Sequence, residues 1–218
     1  VLERICSLYE WDFAQIQLNY LDWEMQDAKG QYEVLTKHGI PVIVMEPVRG
    51  GALAHPCDES VRIFEEAAPG KSAASWAIRF AESLPNVQVV LSGMSTMDQI
   101  RDNVATMSDF HPLTDEERAV IEKALDAYKA HKTIPCTGCR YCMDCPFGVD
   151  IPLVFQVYNR YRLDGSKDRF KKAYTEIPES ARAENCQECG ACMTQCPQSI
   201  EIPERMKVIN ALWAEINK

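Results

Sequence analysis

Eight cysteines are concentrated in two short segments, and the last cysteine of each segment precedes a proline. The first segment reads Cys136-x2-Cys139-x2-Cys142-x2-Cys145, and the second reads Cys186-x2-Cys189-x2-Cys192-x3-Cys196. Three cysteines at x2 spacing let one tight loop present three thiolates to one face of a cuboidal cluster. Gly138 and Gly190 suit a backbone that turns closely around sulfur. The spacing therefore predicts two 4Fe-4S clusters.

The proline-flanked cysteines predict that the two segments exchange ligands, as in two-cluster ferredoxins. We expect Cys136, Cys139, Cys142 and Cys196 on one cluster, and Cys186, Cys189, Cys192 and Cys145 on the other. Two alternatives stay open. The x2 spacing before Cys145, where the ferredoxin pattern has x3, is compatible with another role for this cysteine and a single cluster. Two CxxC pairs can also form a zinc site, although two sets of four cysteines favour iron and sulfur.

Composition narrows the function classes. The 218-residue chain has a formal net charge of −9, and its acidic surplus lies in residues 1–135. A negative surface there argues against nucleic-acid binding. The sequence has no run of about 18 apolar residues, so no membrane span is expected. Dense x2 spacing indicates ligation rather than disulfides, and thiols kept for metal predict a reducing compartment, the cytoplasm.

The segment before the cysteines alternates strand and helix patterns. Short apolar runs predict strands at residues 12–20, 41–47 and 87–92. Helices are predicted from Asp22 to His38, from Ser72 to Leu84, after a capping box Ser95-x-x-Asp98, and from Thr114-x-x-Glu117 to Lys132. This order predicts a parallel sheet covered by helices. After Cys145 the pattern is helical, with Pro152 breaking its start and Gly165 its middle.

Three motifs in residues 1–130 resemble the C-terminal part of an aldo/keto reductase barrel. Asp12-Phe-Ala-Gln15-Ile-Gln-Leu-Asn19-Tyr-Leu-Asp22 is similar to its sixth strand, and Gly39-Ile-Pro-Val-Ile-Val-Met-Glu46-Pro47-Val-Arg-Gly50-Gly51 to its seventh. Val89-Val-Leu-Ser-Gly93-Met-Ser95-Thr96, followed by Gln99 and Asn103, resembles the eighth strand and the cofactor-binding helix. Together with the cysteine segments, these motifs resemble the ferredoxin-linked branch of that family.

The resemblance implies an α/β fold: the last three βα units of a (β/α)8 TIM barrel, then a mostly helical, ferredoxin-like iron–sulfur domain. The implied domains are residues 1–112 (barrel part), 113–132 (connecting helix) and 133–218 (4Fe-4S domain). The resemblance also implies NAD(P)-linked hydride transfer on a small carbonyl or alcohol, with electrons exchanged with a redox protein or small carrier. Gln15 matches the glutamine that binds the nicotinamide carboxamide, and Ser95, Gln99 and Asn103 match positions around the adenosine and its phosphates.

Three departures from the family pattern bear on activity. The catalytic Asp, Tyr, Lys and His of the family come from strands two to four, which are not in this sequence. Met45 stands where many members stack an aromatic ring, and Gly93 stands where many NADP-preferring members have a basic residue. We therefore expect a C-terminal fragment completed by an upstream barrel segment or by self-association. The alternative functions are an electron-transfer module with a scaffold-only barrel remnant and a zinc-stabilised binding module.

Overall fold

Contacts between residues divide the chain into two units, Val1–Tyr128 and Lys129–Lys218. The computed structural model describes residues 1–217. Within them, no helix is both long and apolar enough to cross a membrane.

The first unit is built around a three-stranded parallel sheet. Its elements are α1 (Leu2–Cys6), β1 (Ala14–Gln17), α2 (Asp22–Met25), α3 (Ala28–Lys37), β2 (Val42–Met45), α4 (Asp58–Ala67), α5 (Ala73–Glu82), β3 (Val87–Val90), α6 (Met97–Ser108) and α7 (Asp115–Lys129), the last of which ends in the second unit. The strand order is β1-β2-β3, with Gln15 opposite Ile43 and Ile43 opposite Val89. The predicted α/β arrangement with a parallel sheet is confirmed.

Among residues 1–217, helices cover one face of this sheet. Val42 and Val44 are fully buried beneath the helices, and α3 packs on β1 while α5 packs on β3. The opposite face carries Gln15, Met45 and Val89, all exposed. The uncovered face therefore contains one predicted cofactor-binding residue beside apolar side chains.

The predicted helix from Asp22 to His38 is wrong as a single element. Asp27 has a left-handed backbone (φ 51°) and separates α2 from α3. A Cβ on Gly30 would lie only 2.6 Å from the Asp27 carboxylate, so glycine leaves room for that side chain at the break. The conformation of one aspartate thus overrides a continuous helical pattern.

The structure differs from the prediction in two further ways: it contains one helix that was not predicted, and the capping box of another helix uses different residues. α4 was not predicted, although its Ile63 and Phe64 are buried. The capping box of α6 is formed by Thr96 and Gln99 rather than by Ser95 and Asp98, because the Gln99 side chain can return to the backbone amide of the cap. The reciprocal bonds between Thr114 and Glu117, at 3.0 and 3.2 Å, are as predicted.

The second unit is helical, and its described residues contain no strand. Its elements are α8 (Ile151–Asp164), α9 (Lys167–Glu176), two short 3-10 turns (Glu179–Ala181 and Ala183–Asn185) and α10 (Ile202–Ile216). Pro152 lies in the first turn of α8, where its missing N–H costs nothing, and Gly165 (φ 65°) ends that helix. The core includes the stacked pair Phe170 and Tyr174, whose centroids are 5.3 Å apart.

Candidate functional site

The eight clustered cysteines are free thiols that lie around two cavities in the second unit. One open cavity of about 320 Å³ is lined by four cysteines that we name the first cysteine group: Cys136, Cys139, Cys142 and Cys196. An open cavity of about 490 Å³ is lined by the second cysteine group: Cys145, Cys186, Cys189 and Cys192. Cys142 also borders the second cavity, but its electrostatic neighbours are Cys136, Cys139 and Cys196. This spatial grouping is the exchange expected from the Cys-Pro pairs.

The two cysteine segments repeat each other in backbone conformation. Residues 138, 140 and 148 have left-handed φ angles of 73°, 65° and 75°, and the equivalent residues 188, 190 and 199 have φ angles of 55°, 76° and 50°. Equivalent turns are closed by the amides of Met143 and Met193, each 3.0 Å from the carbonyl three residues earlier. A helix follows each segment, α8 after the first and α10 after the second, and each helix has a proline in its first turn. The sequence signal for this repeat is an offset of 50 residues that becomes 51 at the last cysteine.

The repeat places one isoleucine of each segment between the cavities. Ile151 and Ile202, the first residues of α8 and α10, line both cavities and are almost fully buried. Cys139 and Cys189, by contrast, are solvent-exposed, whereas the other six cysteines are partly buried. Each cavity therefore has an apolar inner wall and one thiol at the surface.

An asparagine on each helix fixes the chain that leads into each segment. Asn159 on α8 accepts from the Ile134 amide at 2.7 Å and donates to the Ile134 carbonyl at 2.8 Å. At the equivalent place on α10, Asn210 donates to the Ala183 carbonyl at 3.1 Å. The Tyr174 hydroxyl also holds the chain just before the second cysteine segment, because it accepts from the Ala183 amide at 3.1 Å. Sequence reasoning missed the two asparagine contacts, whose partners are 25 and 27 residues apart.

Burial favours the protonated form of two of the cavity thiols. Burial, aided by the neighbouring Cys136, raises the pKa of Cys142 to about 11, and burial raises the pKa of Cys192. Bound metal would have to displace these protons, because the thiolate is the ligand. The donor set fits an iron–sulfur cluster, whose ligands are thiolates.

The arrangement of the thiols bears on whether the sites suit a cluster or a single ion. A tetrahedral zinc ion draws sulfur ligands to about 2.3 Å from one point. Within residues 1–217, no three His, Cys, Asp or Glu side chains converge in the way that one metal ion requires. Each cysteine group instead lines the wall of an open cavity. This arrangement suits a multi-atom cluster.

The four residues expected to bind a dinucleotide lie on β1 and around the start of α6. Gln15 is exposed on β1 and donates to the Met45 sulfur at 3.3 Å. The side-chain oxygen of Gln99 accepts from the Ser95 amide at 2.8 Å, so this side chain serves the helix cap. Asn103 donates to the Ser92 hydroxyl at 2.8 Å. The start of α6 offers the backbone dipole that favours an anion, which fits a dinucleotide phosphate.

A buried polar network lies at the carboxyl ends of β1 and β2. The Asp22 carboxylate, with no exposed surface, accepts from Arg49 at 2.9 Å and from Gln17 and Asn19 at 2.7 Å each. Asn19 also donates to the Glu46 carbonyl at 2.9 Å, so it joins both strand ends. Sequence reasoning did not assign this network, although its members belong to the motifs quoted for the family.

Comparisons with known proteins agree with this two-part organisation. A model of the aldo/keto reductase family matches residues 2–126, and a model of the 4Fe-4S dicluster domain matches residues 135–201. Among solved structures, the holo and apo forms of aldo-keto reductase AKR11C1 from Bacillus halodurans each align at 24% identity and a TM-score of 0.46, covering 56% of this chain and 46% of the reductase. The chain thus spans less than half of that reductase's length. A search of curated proteins gave no match.

Proposed function

The chain belongs to the aldo/keto reductase family, and we propose that it couples a nicotinamide-dependent reductase site to two 4Fe-4S clusters. The resemblance identified from the sequence is confirmed, and the succession of the two domains supports an iron–sulfur oxidoreductase. The observation that carries the proposal is the grouping of eight thiols around two cavities directly after the family segment.

The proposed ligands of one cluster are the first cysteine group, and those of the other are the second cysteine group. When bound, such clusters supply one-electron transfer. The chain contributes the thiolates and the apolar wall of Ile151 and Ile202. Asn159 and Asn210 hold the residues that precede the two cysteine segments. The exposed thiols Cys139 and Cys189 provide the surfaces at which a redox protein or small carrier would exchange electrons.

For the first unit we propose the last three βα units of a (β/α)8 barrel, with domain limits at residues 1–112, 113–132 and 133–218. The uncovered sheet face supports this assignment, because an inner barrel face is normally closed by other strands. Free edges of β1 and β3 would otherwise invite pairing with other chains. An upstream segment or a second copy of the chain would complete the barrel.

The proposed dinucleotide site uses Gln15 for the carboxamide and Ser95, Gln99 and Asn103 around the adenosine and phosphates. When bound, the nicotinamide exchanges a hydride with a small carbonyl or alcohol. The residues of this chain orient the dinucleotide and neutralise its phosphates through α6. The reducing conditions that free thiols and clusters require make the cytoplasm the proposed compartment.

One observation favours the alternative of an electron-transfer module with a scaffold-only barrel remnant. The side chains of Gln99 and Asn103 are already engaged within the chain, with the Ser95 amide and the Ser92 hydroxyl. A dinucleotide would have to compete with these contacts.

Anaerobic preparation of the chain tests both functions. We expect about eight irons and eight sulfides per chain and broad absorbance near 400 nm that fades on reduction with dithionite. A colourless protein that binds zinc would contradict the cluster proposal. With the barrel completed as proposed, addition of NADH or NADPH then separates the two functions: bleaching supports the coupled oxidoreductase, and unchanged absorbance supports the scaffold-only alternative.

Size-exclusion chromatography at low concentration tests the barrel assignment. We expect residues 1–218 to self-associate, or to bind an upstream segment, because the uncovered face carries exposed apolar side chains. A stable, cooperatively unfolding monomer of this chain alone would refute the assignment.

A further inference from the structure

Opposite charges lie at the two cavities of the second unit. Arg140 lines the cavity of the first cysteine group, and Asp144 lines the cavity of the second cysteine group. Both residues come from the first cysteine segment, in which they flank Cys142. The two otherwise repeated sites therefore differ in the sign of a charge at their walls.

Arg140 occupies a backbone position that favours glycine. Arg140 has a left-handed φ of 65°, and the equivalent residue of the repeat is Gly190 with φ 76°. A left-handed conformation is unfavourable for a non-glycine residue, and glycine avoids that cost. The chain thus places an arginine where its own repeat shows that glycine fits.

The ion pairs around Arg140 and Asp144 keep the second cavity more negative than the first. Arg140 pairs with Asp150 at 3.3 Å, which leaves this pair neutral as a whole with the guanidinium at the cavity wall. Near the second cysteine group, Lys207 joins Glu188 at 2.8 Å and Glu204 at 2.9 Å, so this trio keeps one negative charge. Asp144 adds another. The second cavity is therefore the more negative of the two.

We propose that Arg140 and Asp144 set the two clusters at different reduction potentials, with the first cysteine group holding the cluster that is easier to reduce. Reduction adds one electron, and a nearby positive charge stabilises the added negative charge whereas a carboxylate opposes it. Surrounding charge is one of the factors that set the potentials of such clusters. The inference rests on the proposed function, because it requires both clusters.

The test is a redox titration of the anaerobically loaded full chain, followed by electron paramagnetic resonance. Arg140→Gln and Arg140→Gly should lower only the higher midpoint potential, and Asp144→Asn should raise only the lower one. Arg140→Lys keeps the charge and should leave the midpoints near those of the wild type. Arg169→Gln is the matched control, because Arg169 is exposed on α9 and lines neither cavity.

The outcomes separate this inference from the proposed function. A wild-type chain without iron–sulfur signals overturns both. Fully loaded variants whose midpoints do not move, or move on the opposite cluster, overturn the inference alone. Arg140→Gly guards against misfolding, since glycine suits the backbone at this position.

Discussion

Asn159 connects helix packing to the cysteines, and its removal should release the first cysteine segment. In Asn159→Ala both hydrogen bonds to Ile134 are lost, at 2.7 and 2.8 Å, and Ile134 is only 4% exposed. Losing the bond to the carbonyl costs about 1 kcal/mol, because this carbonyl still accepts from the Cys136 amide at 2.8 Å. Leaving the buried Ile134 amide unsatisfied costs about 1–3 kcal/mol. We expect a loss of about 2–4 kcal/mol in the free energy of unfolding of the second unit.

Asn210→Ala is the matched comparison at the equivalent position of α10. Asn210 makes one bond, at 3.1 Å to Ala183, and within the described residues its buried side-chain oxygen has no hydrogen-bond partner. The expected loss is therefore about 1 kcal/mol. Because the Tyr174 hydroxyl accepts from the Ala183 amide, the chain before the second cysteine segment keeps one hydrogen bond in this variant.

The assay is the rate of loss of the 400 nm absorbance in a fixed concentration of denaturant under anaerobic conditions. If the lost bonds act mainly on unfolding, Asn159→Ala should accelerate cluster loss by roughly thirty-fold to several hundred-fold, and Asn210→Ala by about five-fold. Equal rates for the two variants, or a wild-type rate for Asn159→Ala, would refute the reasoning.

Three further predictions address the remaining sites. Asp22→Asn should destabilise the first unit by about 3–5 kcal/mol in urea unfolding, because the buried Arg49 loses the negative charge of its Asp22 partner. The double variant Asp22→Asn/Arg49→Met should recover much of this loss, and no recovery would contradict the prediction. The hydrogen-bonded Arg79 lowers the pKa of Glu117. Glu117→Gln should therefore cost about 1 kcal/mol of stability at neutral pH and progressively less below pH ~4, where the wild-type carboxylate becomes protonated. A cost that does not change with pH in thermal unfolding would count against the ion pair. Cys189→Ser should lower the iron content and make residues 133–218 protease-sensitive while residues 1–110 change less; equal proteolysis with and without iron would exclude this dependence.

Local signals sufficed where the chemistry is local. The x2 spacing predicted two groups of cysteines, and the proline after Cys145 and Cys196 predicted which group each would join in space. Thr114 and Glu117 predicted their own cap, because both partners lie within one helical turn. Short apolar runs predicted three strands, although each is shorter in the structure than in the prediction.

Contacts between distant residues were outside the reach of these signals. Arg49 binds the Asp22 carboxylate from 27 residues further along the chain. The role of Asn159 depends on a helix that begins after the cysteines and returns to a residue before them. Tertiary packing, rather than residue spacing, therefore decides the supports of the candidate site.

The exchange of the fourth cysteine between the segments has a consequence for biosynthesis. Cys145 and Cys196 are about 50 residues apart in the chain, and ribosomes add about 5–20 residues per second. With the proposed ligands, Cys136, Cys139 and Cys142 would be synthesised several seconds before Cys196 could complete their cluster. Neither cluster could then be completed during translation of the first segment, and the early thiols would have to be protected from oxidation until Cys196 is made.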